Sequence, residues 1–368
     1  MTQQISLYFH LPFCRRKCPY CHFFVLPEKE PDKELLQGAL LRHLDRLLPQ
    51  LEGQKIASVY FGGGTPTLFG IDRVTALLQR LQLDPECEVT IEANPEEVTK
   101  ELLSGYKKAG INRLSIGVQT LDDALLKTLG RSHTAKKAVE AVEVAHEVGF
   151  KNLSIDLMYE LPGQSKESFE RTLERVGELP LTHLSLYNLT FEPTTLFYKQ
   201  RASLQKLLPS SEECLEMLQI GVAKLEAFGL KRYEISAFAR QGFSARHNCG
   251  YWTARPFFGL GPSAFSYFEG RRFRNVCNLR RYSETLGTDF EEKLPFPDSL
   301  HELLAVELRL LEGVDLTLFE GRHGSLPEET EERVGKLLSE GFLEKEETRL
   351  RLTPKGLLFY DSVAARII

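Results

Sequence analysis

Three cysteines near the start of the 368-residue chain, Cys14, Cys18 and Cys21, stand at the spacing C-x3-C-x2-C. Thiolates are soft ligands, and three presented by one short loop suit an iron–sulfur cluster. Pro12 and Pro19 keep the stretch from becoming a regular helix, so a wrapping loop is expected. A four-iron cubane held by three cysteines leaves one iron without a protein ligand, open to a substrate or cofactor. Arg15, Arg16 and Lys17, interleaved with the cysteines, would offset the charge of a thiolate-bound cluster. The rival occupant is zinc, completed by His10 or His22. Zinc sites usually draw C-x2-C pairs from two knuckles, and no second pair is present.

Further polar residues close apolar runs. Gly62-Gly63-Gly64-Thr65-Pro66-Thr67 follows the run Ala57–Phe61. Glycines there let the backbone approach a ligand closely. A P-loop is excluded because no Gly-Lys-Ser/Thr follows, and in isolation a tight strand-to-helix turn would explain the motif as well. Glu92, Gln119 and Asp156 each end an apolar segment. A carboxylate or amide in such a place must be paired or bind something. Each alone could be a satisfied core group, whereas three on one face favour a shared polar ligand. The planar fork of Arg131 could meet a ligand carboxylate.

The elements that must position these residues alternate regularly. Strand-like runs near Ile5–Phe9, Ala57–Phe61, Glu88–Glu92, Arg113–Val118, Asn152–Leu157 and His183–Leu189 alternate with amphipathic helix patterns. Those patterns lie near Asp32–Leu51, Asp72–Leu81, Thr99–Ala109, Ala135–Val148, Lys166–Val176 and Ser211–Phe228. Six β-α units predict an α/β fold with a parallel sheet. Sites in such folds follow the strands. We read an incomplete parallel (β/α)6 barrel, although periodicity alone does not separate it from a doubly wound sheet.

The alternation fades after Phe228. Tyr233–Ser236 reads as a further strand, and Phe243–Phe273 is rich in Gly and aromatics with few helix signals. Pro295-Phe296-Pro297 reads as a linker. Helix patterns at Leu300–Leu311, Asp315–Phe319 and Glu328–Glu340, then two short strands and a last helix, predict a small winged-helix-like α+β module. The expected division is a barrel over 1–230, an extension over 231–295 and a C-terminal module over 296–368. The many Glu residues of that module favour packing or protein contact over DNA binding.

A net charge of −5 gives no electrostatic reason to expect nucleic acid, and no apolar run reaches the length of a membrane span. Met1-Thr2-Gln3-Gln4 lacks the pattern of a signal peptide, so a cytoplasmic location is expected. Seven cysteines, an odd number, in a reducing compartment favour metal binding or free thiols over bridges. Cys87, Cys214, Cys249 and Cys277 stand singly and read as small buried hydrophobes.

Tyr8, the three cysteines and Gly62-Gly63-Gly64-Thr65-Pro66 together resemble the radical S-adenosylmethionine superfamily. With Glu92, Gln119, Arg131 and Asp156 in order, nearly the whole chain resembles the oxygen-independent coproporphyrinogen III oxidases and their relatives. The resemblance implies a [4Fe–4S] cluster on Cys14, Cys18 and Cys21, with S-adenosylmethionine on the open iron. It implies that Gly63, Gly64 and Thr65 line the methionyl amine. Glu92 and Asp156 then suit ribose hydroxyls or a positive group, Gln119 and Arg131 suit carboxylate or ribose, and Tyr8 and Tyr20 flank the cluster or the adenine.

The sequence departs from the oxidases. Their fourth cysteine, in C-x3-C-x2-C-x-C, is Phe23 here, and only thirteen residues precede Cys14 where the oxidases have a longer extension. His247-Asn248-Cys249-Gly250-Tyr251-Trp252 matches H-N-x-x-Y-W, a motif of the related heme chaperones, the HemW branch. That branch implies heme as cargo and delivery to an acceptor hemoprotein of unknown identity. Heme needs an axial nitrogen or sulfur and flat apolar surfaces. His247 or Cys249 could supply the first, and Tyr251 and Trp252 the second. The other reading is that His247 and Asn248 tie down a loop while the aromatics pack in the core. The alternative function is the oxidase itself, decarboxylating porphyrinogen propionates. Whether the chain is an enzyme is left open by the motifs.

Overall fold

The computed structural model describes residues 4–368. Met1–Gln3, part of the N-terminal stretch read as lacking a leader, lie outside the described residues. Six strands alternate with six helices: β1 (Gln4–Leu11), α1 (Glu30–Leu51), β2 (Lys55–Gly63), α2 (Ile71–Leu78), β3 (Glu88–Ala93), α3 (Lys100–Lys108), β4 (Arg113–Gln119), α4 (Ala135–Glu147), β5 (Asn152–Tyr159), α5 (Lys166–Gly177), β6 (His183–Asn188) and α6 (Ser211–Ala227). Local sequence sets where the helices begin. Thr99, Thr134 and Ser165 cap α3, α4 and α5 by accepting backbone N–H groups, and Ser210 with Glu213 forms a capping box on α6.

All six strands pair in parallel, and their spatial order follows the chain, β1 through β6. A doubly wound sheet reverses its order midway, and this one does not. Right-handed crossovers in one direction put every helix on the same face and leave the other face as a lumen. The order of the strands therefore decides for the partial barrel, which periodicity alone could not do.

The strands alternate because their two faces meet different surroundings. Ile5, Leu7, Phe9, Val59, Phe61, Val89, Ile91, Leu114, Ile116, Ile155 and Leu184 join the core with Leu36, Leu40, Leu44, Leu77, Leu103 and Phe169 of the helices. The opposite face carries Ser6, Tyr8, His10, Ser58, Tyr60, Glu88, Glu92, Arg113, Ser115, Asp156 and His183. Barrel interiors are usually filled by branched apolar residues. Here the lumen is polar, which is why these parallel strands do not read as unbroken apolar runs.

Further strands extend both edges of the sheet, antiparallel beyond β6, and beyond β1 first one parallel strand and then antiparallel ones. Beyond β6 lie β7 (Lys231–Glu234) and β8 (Ala237–Ala239); beyond β1 lie β9 (Phe257–Leu260), β10 (Phe265–Phe268), β11 (Arg271–Asn275) and β12 (Thr288–Glu292). Between β8 and β9 sits α7 (Arg246–Trp252). The stretch expected to hold few helix signals thus contains a helix across the H-N-x-x-Y-W motif. At seven residues, α7 is too short to display a helical period.

The C-terminal residues build a second apolar cluster around Leu300, Leu304, Leu308, Phe319, Leu337, Leu350 and Val363. Its helices Asp298–Glu307, Leu316–His323 and Glu328–Ser339 stand with a three-stranded sheet of Val314–Asp315, Arg349–Leu352 and Leu343–Glu346. This cluster meets the barrel extension along β7. Leu311 donates its N–H to the Tyr233 carbonyl at 3.0 Å, and Arg309 pairs with Glu234 at 3.3 Å. No helix among the described residues is long and apolar enough to cross a membrane.

Candidate functional site

The cysteine loop leaves the end of β1 and is held by backbone bonds rather than by a helix. Phe13–Cys14 pairs in parallel with Leu26–Pro27, and Cys21 donates its N–H to the Cys18 carbonyl at 3.1 Å. The glycine turn after β2 grips the loop from the side. Gly64 donates to the Leu11 carbonyl at 2.9 Å, and Thr65 to the Phe13 carbonyl at 2.7 Å. A Cβ on Gly64 would lie 2.6 Å from the Phe13 carbonyl oxygen, so only glycine allows this approach. Gly63, at φ 111°, lies so close to the His10 ring that a Cβ there would stand 2.6 Å from it.

The loop and the strand ends enclose a cleft of about 180 Å³. Its walls include Cys14, Cys18 and Cys21, Gly63 and Gly64, and Glu92, Gln119, Arg131 and Asp156, with Tyr20 and Phe23. Residues far apart in the chain therefore meet as the strand-end pattern requires. A larger groove, of about 900 Å³, lies around Lys55, Arg80 and Asp84 at the opposite end of β2, and its walls hold no cysteine or histidine.

The thiols are already addressed by donors. Thr65 Oγ1 lies 3.6 Å from Cys14 Sγ, and Arg131 Nη1 lies 3.6 Å from Cys18 Sγ. Arg131 is held in place by Asn94 Oδ1 at 2.6 Å and the Gly117 carbonyl at 2.7 Å. Burial pushes the Cys14 thiol up to about 11, and burial likewise raises Cys21. Metal ligation would overcome that preference by binding the thiolate. Among the described residues no three His, Cys, Asp or Glu side chains converge on one ion position. Three thiols that line one cleft suit a multi-iron cluster, each on its own iron. The rival zinc ligand His10 is committed elsewhere, to the Tyr8 hydroxyl at 3.0 Å and the Phe24 carbonyl at 2.8 Å.

The polar walls fit a cationic, hydroxyl-bearing ligand. Glu92 accepts from the Tyr60 hydroxyl at 2.7 Å and from Gly63 N–H at 3.3 Å. Burial outweighs these bonds and lifts its carboxyl to about 7. Burial raises Asp156 as well, against hydrogen bonds from Ser185 and Ser115. Gln119 sits at a register shift at the end of β4 with φ 69°, a strained conformation for a residue other than glycine.

Two expected cofactor contacts stand differently. Tyr8 is absent from the cleft wall; it packs on Tyr60 with ring centroids 6.1 Å apart, one layer below. Thr65 is buried against Cys14 rather than facing the cleft. Two residues were missed. Asn94 follows Glu92 by two positions, so strand period could have found it. Tyr60 lies between Ser58 and Gly62 on the inner face, and only its contact with Glu92 reveals it.

The H-N-x-x-Y-W motif lies at the other end of the lumen. The backbone N–H groups of Arg246 and His247 bond Glu88 at the start of β3, both at 3.0 Å. His247 is 1% exposed, with Nδ1 2.9 Å from Ser58 Oγ and Nε2 2.8 Å from the Tyr251 hydroxyl. Both ring nitrogens are engaged, so His247 presents no free nitrogen to a heme iron. Tyr251 packs edge-on against Phe257 at 4.6 Å, and Arg309 covers the Trp252 ring at 4.2 Å. Burial pushes the Cys249 thiol up to about 12. The contacts to Ser58 and Glu88 join α7 to β2 and β3.

Residues 8–176 match the radical SAM superfamily, and residues 294–359 match the HemN C-terminal domain. The chain is 34% identical over 376 residues to the heme chaperone HemW of Bacillus subtilis (strain 168), covering 97% of each chain. It is 32% identical over 370 residues to the heme chaperone HemW of Escherichia coli (strain K12), covering 98% of this chain and 97% of that one. The solved structure of coproporphyrinogen III oxidase (HemN) from Escherichia coli superposes with a TM-score of 0.86 at 25% identity. That likeness covers 100% of this chain and 90% of the oxidase.

Proposed function

We propose that this chain, which belongs to the heme chaperone HemW family of the radical S-adenosylmethionine superfamily, binds a [4Fe–4S] cluster, S-adenosylmethionine and heme, and hands the heme to an acceptor hemoprotein. The observation that carries this reading is Phe23. Its ring lines the cluster cleft and is 50% exposed, at the position where the resemblance to the oxidase calls for a fourth cysteine. An apolar ring there removes a thiol from the cluster rim and leaves a greasy surface beside it.

In this reading Cys14, Cys18 and Cys21 anchor the cluster, and Thr65 and Arg131 donate to its sulfur ligands. Gly63 and Gly64 admit the methionyl end of the cofactor. Glu92 meets a positive group or hydroxyls, Asp156 the ribose, and Gln119 and Arg131 the carboxylate or ribose. Tyr20 closes the wall. When bound, the cluster and cofactor supply one-electron chemistry, while the chain positions and shields them. Heme binding is supported by the family and does not draw on His247.

An anaerobic hemin titration, run beside a coproporphyrinogen turnover assay on one reconstituted sample, tests the reading. A saturable heme spectrum without protoporphyrinogen IX is expected. Absence of heme binding overturns it. Formation of protoporphyrinogen IX with 5′-deoxyadenosine would establish the second reading, the oxidase, which the close superposition on that enzyme favours.

A further inference from the structure

Below Glu92 the lumen holds one continuous stack of aromatic and hydroxyl groups. The Tyr60 ring, whose hydroxyl reaches Glu92, packs against His247 with centroids 4.9 Å apart and an interplanar angle of 31°. His247 meets the Tyr251 ring edge-on at the same separation, 4.9 Å, and Tyr8 at 6.3 Å. The hydrogen-bond directions assign its tautomer. Ser58 donates to Ser6 Oγ at 2.9 Å, so it accepts from His247 Nδ1–H. Nε2 then accepts from the Tyr251 hydroxyl at 2.8 Å. The imidazole is pinned at both nitrogens, and Glu88 pins the helix that carries it.

We propose that His247 and Tyr251 are positioning residues of the S-adenosylmethionine site, holding Tyr60 where its hydroxyl meets Glu92. The proposal rests on the reading of Glu92 as a ligand to that cofactor. It gives the H-N-x-x-Y-W motif a task inside the cofactor pocket rather than an axial contact to heme.

The physical reason is the cost of a buried carboxylate. Glu92 has two donors, and the Tyr60 hydroxyl is the shorter contact. If the Tyr60 ring tilts, Glu92 loses that donor, keeps its proton to higher pH and attracts a cation less. The groups acting on Glu92 are Tyr60 and Gly63 from β2, Asp156 from β5 and Arg113 from β4. Tyr8, Tyr187 and Tyr251 also interact with it. Arg113 is the only cation among them, so the Tyr60 hydroxyl has no ready substitute.

The test uses the full chain with its cluster reconstituted anaerobically. Cofactor affinity is measured by calorimetry over about pH 6–9, with iron content and a hemin titration in parallel. Tyr60→Phe should weaken cofactor binding about tenfold at neutral pH, the loss of a hydrogen bond to a charged group. It should also move the pH below which binding weakens upward. His247→Ala and Tyr251→Phe should shift both quantities the same way, by about three- to fivefold, with iron content and hemin binding unchanged. A merely structural role would not move the pH dependence. Should His247→Ala fail to fold, Tyr251→Phe, which removes a single oxygen, carries the test. Unchanged affinity and pH profile in both variants overturn the proposal, as does loss of the heme spectrum with cofactor binding intact. Wild-type protein with an intact cluster that binds no cofactor removes the site reading and the proposal together. Wild-type binding that is weakened by Glu92→Gln but not by His247 and Tyr251 changes removes the positioning role alone.

Discussion

The Tyr60 hydroxyl lies 2.7 Å from Oε1 of Glu92, and this contact joins the cofactor cleft to the polar stack beneath it. The pair comes from adjacent strands β2 and β3, side chains turned to the same lumen. Burial still dominates the carboxyl, lifting it to about 7 against the two donors.

Glu92 therefore binds its proton more tightly folded than unfolded. The stability from the protonated group is fully present below the ordinary value of 4.5 and is lost as pH rises through about 7. Glu92→Gln should stabilise the ligand-free protein at about pH 8 by roughly 1–3 kcal/mol and leave it unchanged at about pH 4. Thermal melts at the two pH values measure this. Equal melting temperatures at the higher pH would show that the carboxylate is not desolvated.

Replacing Cys14, Cys18 or Cys21 by Ala should abolish the cluster, because each thiol contributes a separate anchor. Iron analysis and visible absorption after reconstitution decide it. A variant that keeps four irons per chain would refute the assignment of that residue.

Gly64→Ala should cost about 1–3 kcal/mol, since a backbone carbonyl, not a flexible side chain, blocks the added carbon. It should also lower iron uptake although all three cysteines remain. Full reconstitution in this variant would mean that the glycine turn does not set the loop.

Arg309 lies over Trp252 at 4.2 Å and Tyr360 at 5.1 Å while pairing with Glu234, which is 4% exposed. Arg309→Ala leaves that carboxylate without its partner and should destabilise the protein by about 2–4 kcal/mol. Trp252 is the only tryptophan, so its fluorescence reports the change. Arg309→Lys should not rescue it, because an ammonium cannot stack as a planar guanidinium does. An unshifted emission spectrum in Arg309→Ala would argue against the stacking.

The cysteine loop and the barrel strands could be read from the chain because both signals are local. Thiol chemistry is a property of Cys14, Cys18 and Cys21 themselves, and the lumen face follows from a period of two. Glu92, Gln119 and Asp156 stood out as polar residues closing apolar runs, and the strand period would have added Asn94. The strands Val314–Asp315 and helix α7 were not, since elements so short show no periodicity.

Spacing and residue type by themselves thus marked out the three-cysteine loop, the parallel β-α order and the strand-end residues. Tertiary structure alone decided which way the sheet winds and what His247 touches. Ser58 and His247 stand 189 positions apart, and no local pattern links them. Only the fold lays α7 beneath β2, where both imidazole nitrogens find partners and the ring packs against Tyr60. A hydrogen bond between distant residues depends on where the chain returns, and that is set by how the whole sheet closes around its polar lumen.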